Sequence, residues 1–207
     1  LNRIMDHLVG NGANIVDLRG IAMQRLETRL DRLEDTHRSV IAAAYENLAG
    51  TNQVHRAVLT LLEPTNFESF IKALTTEVAQ ILRVDMVRLV LETLQEDPDD
   101  PTLRRLGDVL QVAPAGFVGT YLTNGRNGPG RQIVLRSMTA LAINLYGERA
   151  EEFQSEALMK LDLGTNRLPA MLVFASEDPN QFKSTHGTDL LAFFAGVFER
   201  TMRRWLG

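Results

Sequence analysis

RLPAMLVFASEDPNQFKSTHGTDLLAFFAGVFERTMRRWL, residues 167–206, is the stretch whose reading decides the fold. Its first part, Leu168 to Ser176, is an apolar run bounded by turn residues and reads as a strand. Glu177, Asp178, Pro179 and Asn180 form an acidic turn. From about Thr185 to Leu206 the apolar residues recur at helical spacing, so a long helix with a broad buried stripe follows. A strand delivered onto a helix that must bury one face is the closing half of an α/β sandwich.

Working outward, Phe153 to Leu163 reads as a strand that enters the decisive stretch through a hairpin turn at Gly164, Thr165 and Asn166. Before it come a short strand at Ile133 to Leu135 and a helix through Met138, Leu141, Ala142 and Leu145 that Gly147 closes. Phe117, Val118, Tyr121 and Leu122 suit a single amphipathic helix stopped by Asn124 and Gly125, and Val109 to Val112 is a short strand. Further upstream, Met86 to Leu91 is a strand fed by a helix from Phe67 to Leu82, with Asn66 as its N-cap. Another helix runs from Asn52 to Leu62 and ends at Pro64. Consecutive strands joined by a tight hairpin predict an α+β fold, with a largely antiparallel sheet and helices mainly on one face.

The N-terminal quarter has a different pattern. Gly10, Asn11 and Gly12 are expected to break a short first helix. From about Ile15, Val16, Met23, Leu26, Leu30, Leu33, His37, Val40 and Ala44 line one seam, at a three-then-four spacing over most of its length. The opposite face carries Arg25, Glu27, Arg29, Asp31, Arg32, Glu34, Asp35 and Arg38. So narrow a stripe on a solvated helix predicts a homodimeric coiled coil, parallel or antiparallel, with Met23, Leu26, Leu30, Leu33, His37 and Val40 at the interface. Laying the helix along its own domain is the competing arrangement. Gly50 and Thr51 are expected to interrupt the helix, which divides the chain into an extension, residues 1–49, and an α+β domain, residues 50–207.

Composition excludes several functions. The chain has 207 residues, of which 44% are hydrophobic and 23% charged, within the range of ordinary globular proteins. It has no cysteine, so disulfides, thiolate metal sites and cysteine nucleophiles are all ruled out, in keeping with a cytoplasmic protein. No apolar run approaches the ~20 residues that span a bilayer, and no signal-peptide pattern opens the chain. A formal net charge of −4 argues against nucleic-acid binding, which calls for a basic face. Arg200, Arg203 and Arg204 instead complement a helix C-terminus.

Local motifs add little chemistry. Glu96 to Pro101 lacks the spacing of a calcium loop and reads as a solvated loop. The glycine-rich Gly125 to Arg131 has no Lys-Ser or Lys-Thr after its glycines, and Pro129 interrupts its amide donors, so it reads as a turn rather than a phosphate cradle. His186, Gly187, Thr188 and Asp189 open the last helix, where a Thr185 or Thr188 cap and a favourable acid explain them without a ligand. The four histidines are scattered, and no nucleophile elbow or zinc-protease motif is present. No catalytic residue, metal ligand or cofactor is therefore indicated.

Ser155 to Leu158, Leu168 to Asp178, Phe182 and Gly187 to Leu191, together with Val16 to Arg19 and Val84 to Glu92, resemble the bacterial domain-of-unknown-function family 484. That family is similar to GAF domains and carries a helical N-terminal extension. The resemblance implies a GAF-like antiparallel sheet of five or six strands and a dimerising N-terminal helix, and it implies no reaction. The chain departs from the family at Gln154, where an arginine is expected. In a GAF-like arrangement Tyr121, Arg136 and Tyr146 fall on the connections covering the sheet face opposite the terminal helices, and with Ser155 they are the candidate ligand-binding residues. Their ordinary alternative is as core edges and a surface charge. Ser155 and Glu156 adjoin on a strand, so only one of them can enter a given pocket.

Two functional readings follow. One is a cytoplasmic, non-enzymatic, homodimeric GAF-like module that senses a small molecule and signals along its N-terminal helix. The other is an adaptor whose pocket is filled and whose surface binds a protein partner.

Overall fold

The computed structural model describes residues 2–94, 106–107, 109–126, 128–165 and 167–206, with side chains from residue 20 to residue 205. The Glu96 to Pro101 cluster and Asn166 of the expected hairpin turn lie outside the described residues. The chain divides into two compact units, Leu1–Ala49 and Gly50–Gly207.

One helix, α1 (Asn2–Leu62), supplies all the described structure of the first unit and opens the second. The breaks expected at Gly10 to Gly12 and at Gly50 are absent. A glycine inside a helix costs only about 1 kcal/mol relative to alanine. Just after Gly50 the helix buries Val54, Ala57, Val58 and Leu61, and burial of that size outweighs the local cost. Within the first unit every described side chain, residues 20–49, is exposed.

In the second unit Asn66 caps α2 (Phe67–Ala73) as expected, its Oδ1 accepting from the Ser69 amide at 2.8 Å. A π-helical turn, Leu74–Val78, carries the helix into α3 (Ala79–Leu82). Among the described residues five strands follow with two short helices between them: β1 (Met86–Thr93), β2 (Leu110–Pro114), α4 (Phe117–Leu122), β3 (Ile133–Ser137), α5 (Ile143–Tyr146), β4 (Ser155–Leu161) and β5 (Ala170–Ser176). A 3-10 turn, Ala140–Ala142, leads into α5 and another, Gly147–Glu151, follows it. The closing helix is α6 (Asp189–Leu206). The architecture is α+β.

The strands lie in the order β2-β1-β5-β4-β3. Three neighbouring pairs are antiparallel, and β1 with β2 is parallel, Leu89 opposite Leu110. Residues 94–109 intervene between those two strands, long enough for the crossover that a parallel pair needs, so the sheet is mixed at that edge. The decisive strand, β5, is the central one, and all seven of its residues are buried.

That burial comes from cover on both faces. Ala170, Leu172 and Phe174 point to one side, with Val87, Leu89, Ala157 and Met159, and are covered by the end of α1, α2, α3 and α6. Met171, Val173 and Ala175 point to the other, with Val90 and Leu158, beneath α4 and α5. The long helices thus share one face, and α6 packs beside α2, with the Phe70 and Phe198 rings 5.4 Å apart. α6 is also latched to the end of β4: the Arg203 guanidinium donates to the Asp162 carbonyl at 2.7 Å, and Glu199 accepts from the Asp162 amide at 2.8 Å.

A Cβ added at Gly50 would meet Leu190 Cδ1 at 3.6 Å, an ordinary contact. Gly50→Ala is therefore expected to raise stability by about 0.5–1 kcal/mol in urea denaturation, because the position is helical on both sides. A helix broken at Gly50 would gain nothing from the change.

Candidate functional site

Glu156, on β4, is wholly buried, and its neighbours are apolar: Ala157, Leu158 and Met159 follow it along the strand. A carboxylate taken out of water must be met by charge and hydrogen bonds. Arg136 supplies the charge. It stands opposite Glu156 in the β3–β4 register and donates from Nε to Oε1 at 2.7 Å. The other oxygen, Oε2, accepts from the Tyr121 hydroxyl at 2.9 Å and from the Tyr146 hydroxyl at 2.8 Å.

Each donor is held in place by its own element. Glu92, at the end of β1, accepts from the amides of Gly116 at 3.0 Å and Val118 at 2.8 Å, which fixes the start of α4. α4 then carries Tyr121 to Glu156, with Phe117 stacked on the Tyr121 ring at 5.7 Å. Arg136 Nη1 donates to the Tyr121 carbonyl at 3.0 Å, and its guanidinium sits 4.9 Å from the centre of that ring. Tyr146 ends α5, where Gly147 takes positive φ and turns the chain, and its ring packs on Phe153 at 5.2 Å.

Three of the four residues expected to line a ligand site, Tyr121, Arg136 and Tyr146, therefore meet around one acceptor. The fourth, Ser155, points to the opposite face of the sheet, as strand alternation requires. Its hydroxyl donates to the Asp178 carbonyl at 2.6 Å and helps hold the acidic turn. That turn is further pinned by Asp85, whose Oδ2 accepts from the Ser176 hydroxyl and the Glu177 amide, both at 2.9 Å. Gln154 is exposed. The hub itself, Glu156, was identifiable only as one of an adjacent pair. The available signal was an acid inside an otherwise apolar strand, which cannot be buried without partners.

Chemically the set is closed. Both carboxylate oxygens are occupied and both phenols are spent as donors, while Arg136 Nη2 is buried without a hydrogen bond. Burial, and then the charge of Glu156, hold the Tyr121 and Tyr146 hydroxyls well above the ordinary phenol range, so both stay protonated.

Two concave surfaces lie elsewhere in the second unit. A cleft of about 240 Å³ on the face of the long helices is floored by Phe174 and Leu135 and rimmed by Gln53, Gln181, His186 and Gly187. His186 and Gly187, expected only to begin a helix, thus also border a hollow. A shallower groove of about 350 Å³ runs along α4 beside Gly125, Arg126, Gly128 and Lys160. Among the described residues, no group of three or more His, Asp or Glu side chains could hold a metal ion.

The closed network carries two testable consequences. Glu156→Ala removes the counter-charge of Arg136 and leaves its Nε and two buried hydroxyls without an acceptor, and it is expected to cost about 3–5 kcal/mol by urea denaturation. The phenols hold their protons more tightly folded than unfolded, so their contribution is complete below the unfolded value of about 10 and is lost as pH rises above it. In a spectrophotometric titration two of the chain's three tyrosines should therefore ionise only as the protein unfolds. Reversible ionisation of all three in the native state would show the network to be open.

Among the described residues no helix is long and apolar enough to cross a membrane. Comparison with curated proteins returns no match. The family model described as "Protein of unknown function, DUF484" matches residues 6–207, nearly the whole chain, and the chain belongs to that family.

Proposed function

We propose that this protein is a non-catalytic homodimeric module, a GAF-like domain that associates through its N-terminal helix. The observation that carries the reading is the exposed seam of α1. Met23, Leu26, Leu30, Leu33 and Val40 are each between 57% and 62% exposed, and they recur at coiled-coil spacing. Scattered exposed leucines need no explanation, but a periodic stripe of them on one helix is what a second helix covers. A non-catalytic role is supported by the closed Glu156 set, in which no oxygen is open to a substrate and both phenols hold their protons.

The small-molecule reading moves to the cleft bordered by His186, because the face under α4 and α5 is filled by Tyr121, Leu145, Tyr146, Phe153 and Leu158. A ligand there would touch Gly50, Gln53 and Val54 of α1 together with Leu190 and Leu191 of α6. It would act on the dimer only by favouring one setting of those helices over another. The adaptor reading shares the dimer and needs no ligand.

Light scattering of the intact chain should give the mass of two chains, and the Leu30→Glu, Leu33→Glu double variant should give one. An intact chain that is monomeric at tens of micromolar removes the proposal. A thermal-shift panel of nucleotides, cyclic nucleotides and metabolites separates sensing from adaptor function. A rise in midpoint that is lost in Leu190→Trp, which fills the cleft, supports sensing, and no rise supports the adaptor.

A further inference from the structure

The seam of α1 has flanks, and their chemistry is not symmetric. Taking Leu26, Leu33 and Val40 as one set of core positions, the residues just after it are Glu27, Glu34 and Ile41, with Leu48 one heptad on; the other set is Met23, Leu30, His37 and Ala44. The residues just before it are Ala22, Arg29, Thr36 and Ala43. One flank is acidic and then apolar, and the other carries a single cation followed by small residues. All of them are exposed.

Two parallel helices in register bring each leading-flank residue against the trailing-flank residue five positions later on the other chain. That rule sets Arg29 against Glu34 of the partner subunit, twice by symmetry. It also sets Thr36 against Ile41 of the partner subunit and Ala43 against Leu48 of the partner subunit, which covers two exposed apolar side chains that the core set leaves out. Two antiparallel helices instead bring like flanks together. The acids Glu27 and Glu34 then share a flank with their own copies or with Ile41 and Leu48, and no opposite charges meet. Leucine at Leu26 and Leu33 suits a parallel two-stranded coil, and a polar His37 in the core is least costly where it meets its own copy. Within its own chain Glu34 reaches Arg38 at 3.7 Å, an exposed pair of small worth that a contact between helices can displace.

We propose that residues 20–49 pair with a second copy of this chain in a parallel, in-register two-stranded coil, with Arg29 of each chain against Glu34 of the partner subunit. This rests on the dimer proposed above and adds its direction and register. The partner is a second copy rather than an unrelated helix because the two flanks of this one sequence complement each other.

The absence of cysteine allows a direct test in the full chain. Leu26→Cys and Val40→Cys are made singly and oxidised in glutathione buffer, each alone and as an equal mixture. Fourteen residues along a helix correspond to about 21 Å, far beyond the reach of a disulfide. A parallel, in-register coil links 26 to 26 and 40 to 40 in the separate variants, with no 26-to-40 link in the mixture. Links found only in the mixture overturn the direction while leaving the dimer in place. No links at all, with light scattering at two chains, show that the dimer uses another surface, and a single-chain mass removes the dimer reading itself. For the charge pair, Glu34→Arg should raise the dimer Kd about tenfold, ~1.4 kcal/mol. Adding Arg29→Glu to Glu34→Arg should return Kd to within about threefold of the parent. An unchanged Kd in Glu34→Arg overturns the pairing.

Discussion

A single buried carboxylate organises one face of this protein. Glu156 lies inside the sheet with no exposure, and its charge could not stay there uncompensated. Arg136 meets it from the neighbouring strand, Tyr121 from α4 and Tyr146 from α5. α4 and α5 are short, and the apolar residues they bury do not by themselves fix a direction on the sheet. Directional bonds to one acceptor, with Glu92 holding the start of α4, set where they lie. An ion pair of this kind adds little net stability, and its effect is to make alternative placements of those elements costly.

The other face is governed by area. Phe70, Phe174, Phe194 and Phe198 are fully buried and meet in tilted ring pairs between the long helices and the sheet. Apolar burial is non-directional, so the settings there are completed by polar latches at the edges. Asp162 holds α6 through Glu199 and Arg203, and Asp85 holds the turn after β5. Of the three arginines expected to complement the end of α6, Arg203 and Arg204 lie in its last turn, Arg200 donates to the Gly196 carbonyl instead, and Arg203 adds the latch to β4.

The two units differ in how their apolar residues are treated. The described residues of the second unit pack two apolar clusters, one on each side of a sheet, and pair the buried Glu156 with donors from the same unit. Residues 20–49 leave a periodic stripe exposed. That contrast is what the proposed association of the extension rests on; the cleft near His186 belongs to the second unit alone.

Much of the fold was legible because its signals are local. The seven-residue apolar run of β5, the Asn66 cap and the spacing in α6 each follow from neighbouring residues. The seam of α1 was legible for the same reason. Its continuity through Gly50 was not, because a glycine's local cost says nothing of the Val54 to Leu61 face buried next to it. The parallel setting of β2 was equally hidden, since alternation along a strand does not reveal the direction of its neighbour. Tyr121, Arg136 and Tyr146 could be chosen from sequence as residues over one sheet face. Their convergence on Glu156 could not, since they are separated along the chain and only the β3–β4 register and the placement of α4 and α5 bring them together. The sequence by itself determined the element types, the apolar run that forms β5 and the helical seam of α1, all products of short-range periodicity. Only the tertiary structure decided which strand lies beside which and which donors meet the buried acid, because those depend on contacts between residues distant in the chain.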